Sequence, residues 1–337
     1  MFRNSVSRSR RANSRSSSMG LIFCLALTSY AQDAPPAVHS AKFALLDNFT
    51  GSNGFYPYIS PTQGMDGNLY GLALFGGLYG GGVFYQLTPS GTMTSLYNFC
   101  SQPSCTDGSF LAEGGTLALN ADGSFYGTTA SGGASAANGG PCTPYGGCGT
   151  IFQVTPGGSL NTVYNFCSQP NCVDGDVIYS GVVRGTDGNF YGTTPGQGAN
   201  TGPNCFGGFF GVGCGTVFQL TPQGQFTTIY SLCALANCAD GYSPYTGLTA
   251  GADGNLYGIA SGGGANGDGT IFKLTPGGRL TTLHSFNGTD GFCGFICASM
   301  IQAADGSFYG VTNGGGTNGG RNQRRRHGLQ DQLDRQF

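Results

Sequence analysis

Charged residues are scarce along this chain of 337 residues. Asp, Glu, Lys and Arg together make up 9% of the sequence, and the formal net charge is −2. Glu113 is the single glutamate, and Lys42 and Lys273 are the two lysines. A protein that binds phosphate backbones needs clustered basic side chains. We therefore expect no nucleic-acid partner.

Histidine is also rare, which limits the available catalytic chemistry. Only His284 falls in the repeated region described below, at a strand position that Tyr97, Tyr164 and Tyr230 hold elsewhere, so we interpret it as a packing substitution. A serine nucleophile needs a histidine partner, and a glycosidase pair would have to come from aspartates or Glu113. No glycine run precedes a helix pattern, as a phosphate loop requires. We expect no catalytic residue and no cofactor.

A long hydrophobic run is missing as well. The most apolar stretch, Leu21 to Leu27, is shorter than the roughly 20 residues that span a bilayer. It follows an arginine-rich segment and precedes the small-residue site Ser29-Tyr30-Ala31, which is the pattern of a secretory signal peptide. We predict a signal peptide over residues 1–31, a linker over residues 32–42 and no transmembrane segment after cleavage. The mature protein would then be secreted or held in the cell envelope.

Repetition is what the sequence has in abundance. Glycine supplies 63 residues, and Asp-Gly turns followed by an aromatic strand return at intervals of about 50 to 65 residues. Apolar rings that recur in phase can bury enough surface to offset the chain entropy of a glycine-rich sequence. The five turns begin at Asp66, Asp122, Asp187, Asp253 and Asp305.

Each repeat has the pattern of four short strands separated by glycine and proline turns. In the third strand of one unit, Ile151 and Phe152 point to opposite faces and both are apolar, so that sheet must be covered on both sides. This predicts an all-β fold, a β-propeller-like ring of about five four-stranded blades. A flat solenoid is the alternative. The strands predicted for this unit are Thr116–Leu119, Phe125–Thr129, Thr150–Thr155 and Leu160–Phe166.

The two ends of the repeated region carry complementary fragments of a blade. Residues 43–49 match a fourth strand that lacks the other three, and the unit that begins at Asp305 lacks its third strand. We predict that the N-terminal strand completes the last blade, which is otherwise incomplete. The propeller domain then covers residues 43–317.

The tail, residues 318–337, is charged and rich in glutamine, and we predict that it is disordered. Its segment Arg324–Asp331 also supports a frameshift hypothesis. With a suitable choice of codons, a one-base shift turns this segment into Gly-Gly-Gly-Thr-Val-Phe-Lys-Ile, which resembles the third strand at Gly269–Leu274. The missing strand would then be encoded in another reading frame.

Cysteine usage agrees with export. Once Cys24 is removed with the signal peptide, the remaining cysteines form six neighbouring pairs, and such even numbers predict disulfides in an exported chain. Zinc is the alternative, but the spacings are not CxxC and each pair would need a second pair to supply four ligands. The predicted disulfides are Cys100–Cys105, Cys142–Cys148, Cys167–Cys172, Cys205–Cys214, Cys233–Cys238 and Cys293–Cys297.

A second set of Asp-Gly pairs falls on the same loops as the cysteines. Variable loops on a rigid scaffold are where binding usually resides. A ring of carboxylates could hold calcium, although an isolated Asp-Gly pair is more often a turn or a cap. We expect no metal, and the candidate ligands, should there be one, are Asp107, Asp174, Asp240 and Asp290.

The segments GTVFQLTPQGQFTTIYSL at Gly215–Leu232 and TDGNFYGTT at Thr186–Thr194 resemble the GloVer-type tandem repeat of exported bacterial proteins. The resemblance covers about residues 43–316. It implies an envelope or extracellular location, in many members through a C-terminal surface anchor. It brings no catalytic motif.

Three functional hypotheses follow. The leading one is an exported, non-enzymatic binding or surface-structural module that presents disulfide-stapled loops to a glycan, a peptide or a surface protein. The second is a carbohydrate-active hydrolase or lyase, which a convergent carboxylate pair with a shifted pKa would favour. The third is a calcium-stabilised structural protein.

Overall fold

The computed structural model describes residues 45–134, 142, 146–202, 205, 213–293, 297, 299–316 and 327–328. The predicted signal peptide and linker, and all of the predicted tail except residues 327–328, lie outside the described residues. The described chain is all-β: nearly all of its regular structure is strand, with single-turn 3-10 segments in three of the loops. In this part of the chain, no helix is long and apolar enough to cross a membrane.

Four successive antiparallel sheets carry the first four repeats, and each follows chain order, with one additional short strand in the second. The fifth repeat contributes two strand pairs. The strands are β1 (Thr62–Gln63), β2 (Leu69–Ala73), β3 (Val83–Leu87) and β4 (Met93–Asn98); β5 (Ser109–Leu111), β6 (Ala118–Leu119), β7 (Phe125–Ser131), β8 (Thr150–Val154) and β9 (Leu160–Asn165); β10 (Val183–Arg184), β11 (Phe190–Thr194), β12 (Thr216–Leu220) and β13 (Phe226–Ser231); β14 (Thr249–Ala250), β15 (Leu256–Ala260), β16 (Thr270–Leu274) and β17 (Leu280–Ser285); and β18 (Ile301–Gln302), β19 (Phe308–Tyr309), β20 (Val311–Thr312) and β21 (His327–Gly328).

An aspartate fixes the first hairpin turn of each sheet. Gly67 takes a positive φ of 82°, which residues with a side chain avoid. The Asp66 carboxylate accepts hydrogen bonds from the side chain of Asn68 at 2.8 Å and from the hydroxyl of Tyr70 at 2.7 Å. The hydrogen bond from Tyr70 is the main reason why the pKa of Asp66 is lowered. These aspartates therefore have a structural role.

A glycine in the second strand makes room for a ring from the third. A Cβ on Gly127 would come within 2.4 Å of the Phe152 ring, and a Cβ on Gly192 within 2.4 Å of the Phe218 ring. The pairing of the third with the fourth strand shifts at the same ring, as a β-bulge does. This close approach explains why glycine is tolerated inside a strand.

Aromatic side chains fill the space between neighbouring sheets. The ring centroids of Tyr70 on β2 and Phe125 on β7 are 4.7 Å apart, and those of Tyr126 on β7 and Phe190 on β11 are 4.0 Å apart. All four rings are buried. The second sheet is thus apolar on both faces and packs against a sheet on each side, as predicted.

The first strands of the sheets converge. β10 lies against both β6 and β14. Gly114 forms a parallel bridge with Ser180, and a Cβ on Gly247 would lie 3.5 Å from the Ser180 Cβ and 3.4 Å from the Ser299 Oγ. Consecutive repeats therefore approach one another along their inner strands, as blades around an axis do. The fold is β-propeller-like, and the described residues leave the last blade incomplete.

The N-terminal strand predicted over residues 43–49 does not form in its described part, because residues 45–50 have no strand structure. Phe49 still lies where a fourth strand would place it: its ring centroid is 5.3 Å from that of Tyr85, and Phe99 is likewise 4.9 Å from Phe152. Among the described residues, the segment has no full third strand to pair with. In the last repeat, the part of the chain that the structure describes gives β20 the two-residue partner β21.

Candidate functional site

The six predicted disulfides all form. They lie in the loops that join the second to the third strand and the fourth strand to the next repeat, a side of the molecule that we call the loop face. Three of them, after β4, β9 and β13, enclose a one-turn 3-10 segment. Each of these disulfides closes a loop of only a few residues, and the resulting loss of chain entropy in the unfolded state stabilises the fold by about 2 kcal/mol. The disulfides are Cys100–Cys105, Cys142–Cys148, Cys167–Cys172, Cys205–Cys214, Cys233–Cys238 and Cys293–Cys297.

The candidate metal ligands anchor these loops. The hydroxyl of Tyr97 donates to Asp107 Oδ2 at 2.8 Å, and the backbone N–H of Ser101 donates to the same oxygen at 2.9 Å. Burial raises the pKa of Tyr97 to about 12; a hydrogen bond with Ser101 opposes this shift and Asp107 adds to it. The same arrangement recurs at Tyr164–Asp174 and Tyr230–Asp240, and at His284–Asp290, where Nε2 lies 3.0 Å from the carboxylate.

The structure does not bring these four aspartates together. Each carboxylate accepts hydrogen bonds from its own loop. Within the described ranges, the one group of three or more potential ligands that could hold a metal ion consists of cysteines: Cys205, Cys214, Cys233 and Cys238. The aspartates therefore act separately, each within one repeat.

Five aromatic rings form a continuous chain of contacts on the loop face, at the first sheet and the start of the second: Phe55, Tyr56, Tyr58, Phe75 and Phe110, the aromatic patch. Phe55 stacks on Phe75 with 5.6 Å between centroids, Tyr56 stacks on Tyr58 at 5.3 Å, and Phe110 meets Phe75 edge-on at 5.2 Å. Tyr58 is 66% exposed, Tyr56 50%, Phe110 42% and Phe55 40%. Contiguous exposed rings of this kind mark interaction sites.

Backbone hydrogen bonds hold the patch in place. Phe55 and Phe75 exchange N–H···O bonds of 2.9 and 3.3 Å. Tyr56 and Phe110 have left-handed backbone, with φ of 57° and 50°. Val177 has positive φ at the equivalent position of the third repeat, so this geometry belongs to the repeat. The difference lies in the side chain at this position, which is aromatic at Tyr56 and Phe110 and aliphatic at Val177.

The exposure of this position differs between repeats. The Val177 N–H donates to the carbonyl of Cys148, in a long stapled loop, at 3.0 Å, and Val177 is 2% exposed. The Phe110 N–H donates to the carbonyl of Gly81, in the short loop between β2 and β3, at 3.0 Å. Val177 is therefore covered between the second and third sheets, whereas Phe110 is exposed between the first and second. Cys293 is at the equivalent position beside the equally short loop between β15 and β16 and is buried, so loop length alone does not set the exposure.

Sequence analysis missed the aromatic patch, because it looked for binding in the long stapled loops. The sequence did contain a signal: the segment Phe55-Tyr56-Pro57-Tyr58 places three aromatic rings in one loop. The neighbouring loop between β2 and β3 is one of the two shortest loops that join a second strand to a third. Apolar rings are expected to face solvent where the neighbouring loop is too short to cover them.

Asp176 is an unusual residue on the loop face. It forms a bridge with Gly196, and in the equivalent bridges an aromatic stands in its place, at Phe55, Tyr242 and Phe292. Its side chain is fully buried and Oδ1 has no hydrogen-bond partner. Burial raises its pKa to about 7; Gln197 opposes this shift and the charge of Asp174 adds to it.

Repeated sheets with two apolar faces and stapled loops define a β-propeller-like repeat protein. The family model of the Gloeobacter/Verrucomicrobia repeat matches residues 14–210 and 204–322. The chain belongs to this family, and the resemblance seen in the sequence is confirmed. No curated protein matches the chain.

Several solved structures are similar in fold. Streptogramin B lyase is 16% identical over 75% of this chain with a TM-score of 0.43, and the match spans 61% of the lyase. A gluconolactonase from Xanthomonas campestris is 14% identical over 75% of this chain and 69% of its own, with a TM-score of 0.44. The extracellular domain of a putative one-component system from B. thetaiotaomicron is 12% identical over 76% of this chain and 26% of its own, with a TM-score of 0.45.

Proposed function

We propose that this protein is an exported binding module that holds a neutral glycan on its aromatic patch. The observation that carries the proposal is the set of five touching rings, four of them 40% exposed or more. Sugar rings present C–H faces that pack against aromatic rings, and the hydroxyl of tyrosine suits a contact that is apolar on one side and wet at the edge.

The charge of the chain favours a neutral ligand. Only 9% of all residues are charged, and none of the five patch residues is. An acidic ligand would call for Arg or Lys beside the rings. The disulfides support the export part of the proposal, since such bonds persist in oxidising compartments.

Binding of the purified, oxidised protein to arrays of neutral glycans, acidic glycans and peptides tests this function. We expect binding to neutral glycans, with affinity at least 10-fold lower for Tyr58→Ala and for Tyr56→Ser, since one lost stacking contact removes about 1.4 kcal/mol or more. Serine is chosen because Ser243 occupies the equivalent left-handed position.

The matched control is Met65→Ala. It truncates a side chain that is 66% exposed in a hairpin turn on the face opposite the loop face. This variant should bind as the wild type does. Binding only to peptides, binding only to acidic glycans, or equal affinity in all three variants would contradict the proposal.

A hydrolase or lyase is the second candidate, and one observation favours it. The Asp176 carboxyl is buried on the loop face with its Oδ1 unpartnered, and burial raises its pKa to about 7, a value that suits a general acid near neutral pH. Incubation of the bound glycan with wild type and Asp176→Asn tests this reading by release of reducing or unsaturated ends. Equal release from both proteins, or none from either, rejects it.

A further inference from the structure

Four sulfur atoms form a single cluster in the third repeat. They belong to the disulfides Cys205–Cys214, in the loop between β11 and β12, and Cys233–Cys238, in the loop after β13, and all lie within 4.8 Å of one another. The sequence argument against zinc was that each cysteine pair would need a second pair. Here the fold supplies that second pair.

The two loops are held together by contacts other than the sulfur–sulfur bonds. The Asn200 side chain donates to the two carbonyls that precede Cys233, at 2.9 and 3.0 Å, and so ties the long loop to the end of β13. Gly202 faces the cluster without a side chain: a Cβ there would lie 3.4 Å from the sulfur of Cys205 and 3.7 Å from that of Cys233. These contacts do not depend on the oxidation state of the cysteines.

We propose that the reduced chain binds one Zn²⁺ ion at Cys205, Cys214, Cys233 and Cys238. A dithiol reductant gives two electrons and two protons to each disulfide and is itself oxidised to a disulfide, which leaves four thiols. The ion then takes four thiolates, and four protons go to solvent. Tetrahedral zinc holds sulfur at about 2.3 Å, which puts the sulfurs roughly 3.8 Å apart, within the spacing of this cluster.

A small-molecule disulfide reverses this step: for each cysteine pair it takes two electrons from the thiolates and two protons from solvent and becomes two thiols. The two protein disulfides form again and the ion is released, so the site is occupied only in the reduced chain. Burial favours the site, because three of the four cysteines are buried in the hydrophobic core of the third and fourth sheets, where water competes poorly for the metal. Bound Zn²⁺ would therefore indicate that the four cysteines of this repeat are reduced.

The second repeat provides an internal control. It also carries one pair in the loop between its second and third strands, Cys142–Cys148, and one after its fourth strand, Cys167–Cys172. These four cysteines do not form a potential metal group, and the sulfur of Cys142 lies 3.8 Å from the carboxylate of Asp176 instead.

Titration of the full chain with Co²⁺, after reduction with a phosphine and removal of oxygen, tests the proposal. Thiolate-bound tetrahedral cobalt has visible absorption bands, and Zn²⁺ should displace it. We expect one Co²⁺ per reduced wild-type chain, none in the oxidised chain, none in Cys205→Ser/Cys214→Ser, and one in Cys142→Ser/Cys148→Ser.

Far-UV circular dichroism follows the sheet content of each sample during the titration. Equal cobalt bands in the two double variants would overturn the proposal, because any pair of thiols would then suffice. A reduced wild-type chain that binds no cobalt overturns it as well, whether the sheets persist or unfold, since the site requires the folded, reduced repeat.

Discussion

The phenol of Tyr164 donates a hydrogen bond of 2.7 Å to the carboxylate of Asp174 and so ties the fourth strand of a repeat to the loop that follows it. The Ser168 N–H donates to the same oxygen at 2.9 Å. Because Asp174 is fully buried, Asp174→Ala leaves these donors without an acceptor. We expect the free energy of unfolding to fall by roughly 3 kcal/mol, at about 1–3 kcal/mol for each buried unsatisfied group. Urea unfolding measures it.

The control for this variant is Asp47→Ala, because Asp47 is exposed and, among the described residues, accepts a hydrogen bond only from the neighbouring backbone N–H. Its effect should stay within about 0.5 kcal/mol. Equal losses in the two variants would show that the buried loop aspartate contributes no more than a surface one.

A chelator should leave the melting temperature of the oxidised protein unchanged. The loop aspartates accept hydrogen bonds within their own repeats, so calcium would have to displace N–H and O–H donors that already satisfy them. Calorimetric scans with EDTA and with millimolar calcium measure the effect. A calcium-dependent rise in melting temperature that Asp107→Asn removes would establish the calcium-stabilised alternative.

Asp176 should make the protein less stable as the pH rises. Burial raises its folded pKa to about 7, above the ordinary value of 3.8, so the folded state favours the neutral carboxyl. The groups that act on it are Gln197, Asp174, Tyr179 and Tyr245. Stability is greatest below the unfolded pKa and declines as the pH passes from about 4 to about 7.

Comparison of wild type with Asp176→Asn isolates this effect. The variant keeps the shape of the side chain and cannot ionise, so its stability relative to wild type should increase by roughly 4 kcal/mol between pH 4 and pH 8, at about 1.4 kcal/mol per unit of pKa shift. Urea unfolding at several pH values measures both proteins. If the two stability curves run parallel over this pH range, the pKa of the Asp176 carboxyl is not raised.

Gly192 should not tolerate a side chain. A Cβ there would lie 2.4 Å from the Phe218 ring, so Gly192→Ala should lower stability by about 2 kcal/mol or more through overpacking. Phe218→Leu shortens the opposing side chain, and the double variant should lose less than the sum of the two single variants. Gly157→Ala, where the nearest atom is 3.9 Å away, is the control and should be nearly neutral. Additive losses would remove the steric explanation.

The pattern of paired apolar positions predicted the strands well, because Ile151 and Phe152 must both be buried and only a sheet covered on both sides allows this. The disulfides were predictable because both members of each pair lie in one loop. Exposure was not predictable: Phe110 and Val177 occupy equivalent positions with similar backbone, and one is exposed while the other is buried, because burial depends on which neighbouring residues pack over the side chain. The N-terminal strand was wrongly predicted in its described part, residues 45–49, because a strand needs a partner as well as a suitable sequence.

The register of the last repeat supports the frameshift hypothesis. β20 pairs with β21 so that Val311 lies opposite Gly328 and Thr312 opposite His327. In the third repeat the equivalent positions, Thr193 and Thr194, lie opposite Val217 and Thr216. The shifted frame would put threonine at position 327 and valine at position 328, the same pair of residues in the same register.

A chain in which residues 324–331 read Gly-Gly-Gly-Thr-Val-Phe-Lys-Ile should therefore form a longer third strand in the last blade. This strand can pair with the segment around Phe49, and we expect a higher melting temperature and slower hydrogen exchange at residues 45–49, since a paired strand protects its amides. A version with the same eight residues in scrambled order controls for composition and charge. If both versions melt and exchange alike, the segment does not complete the blade and the hypothesis fails.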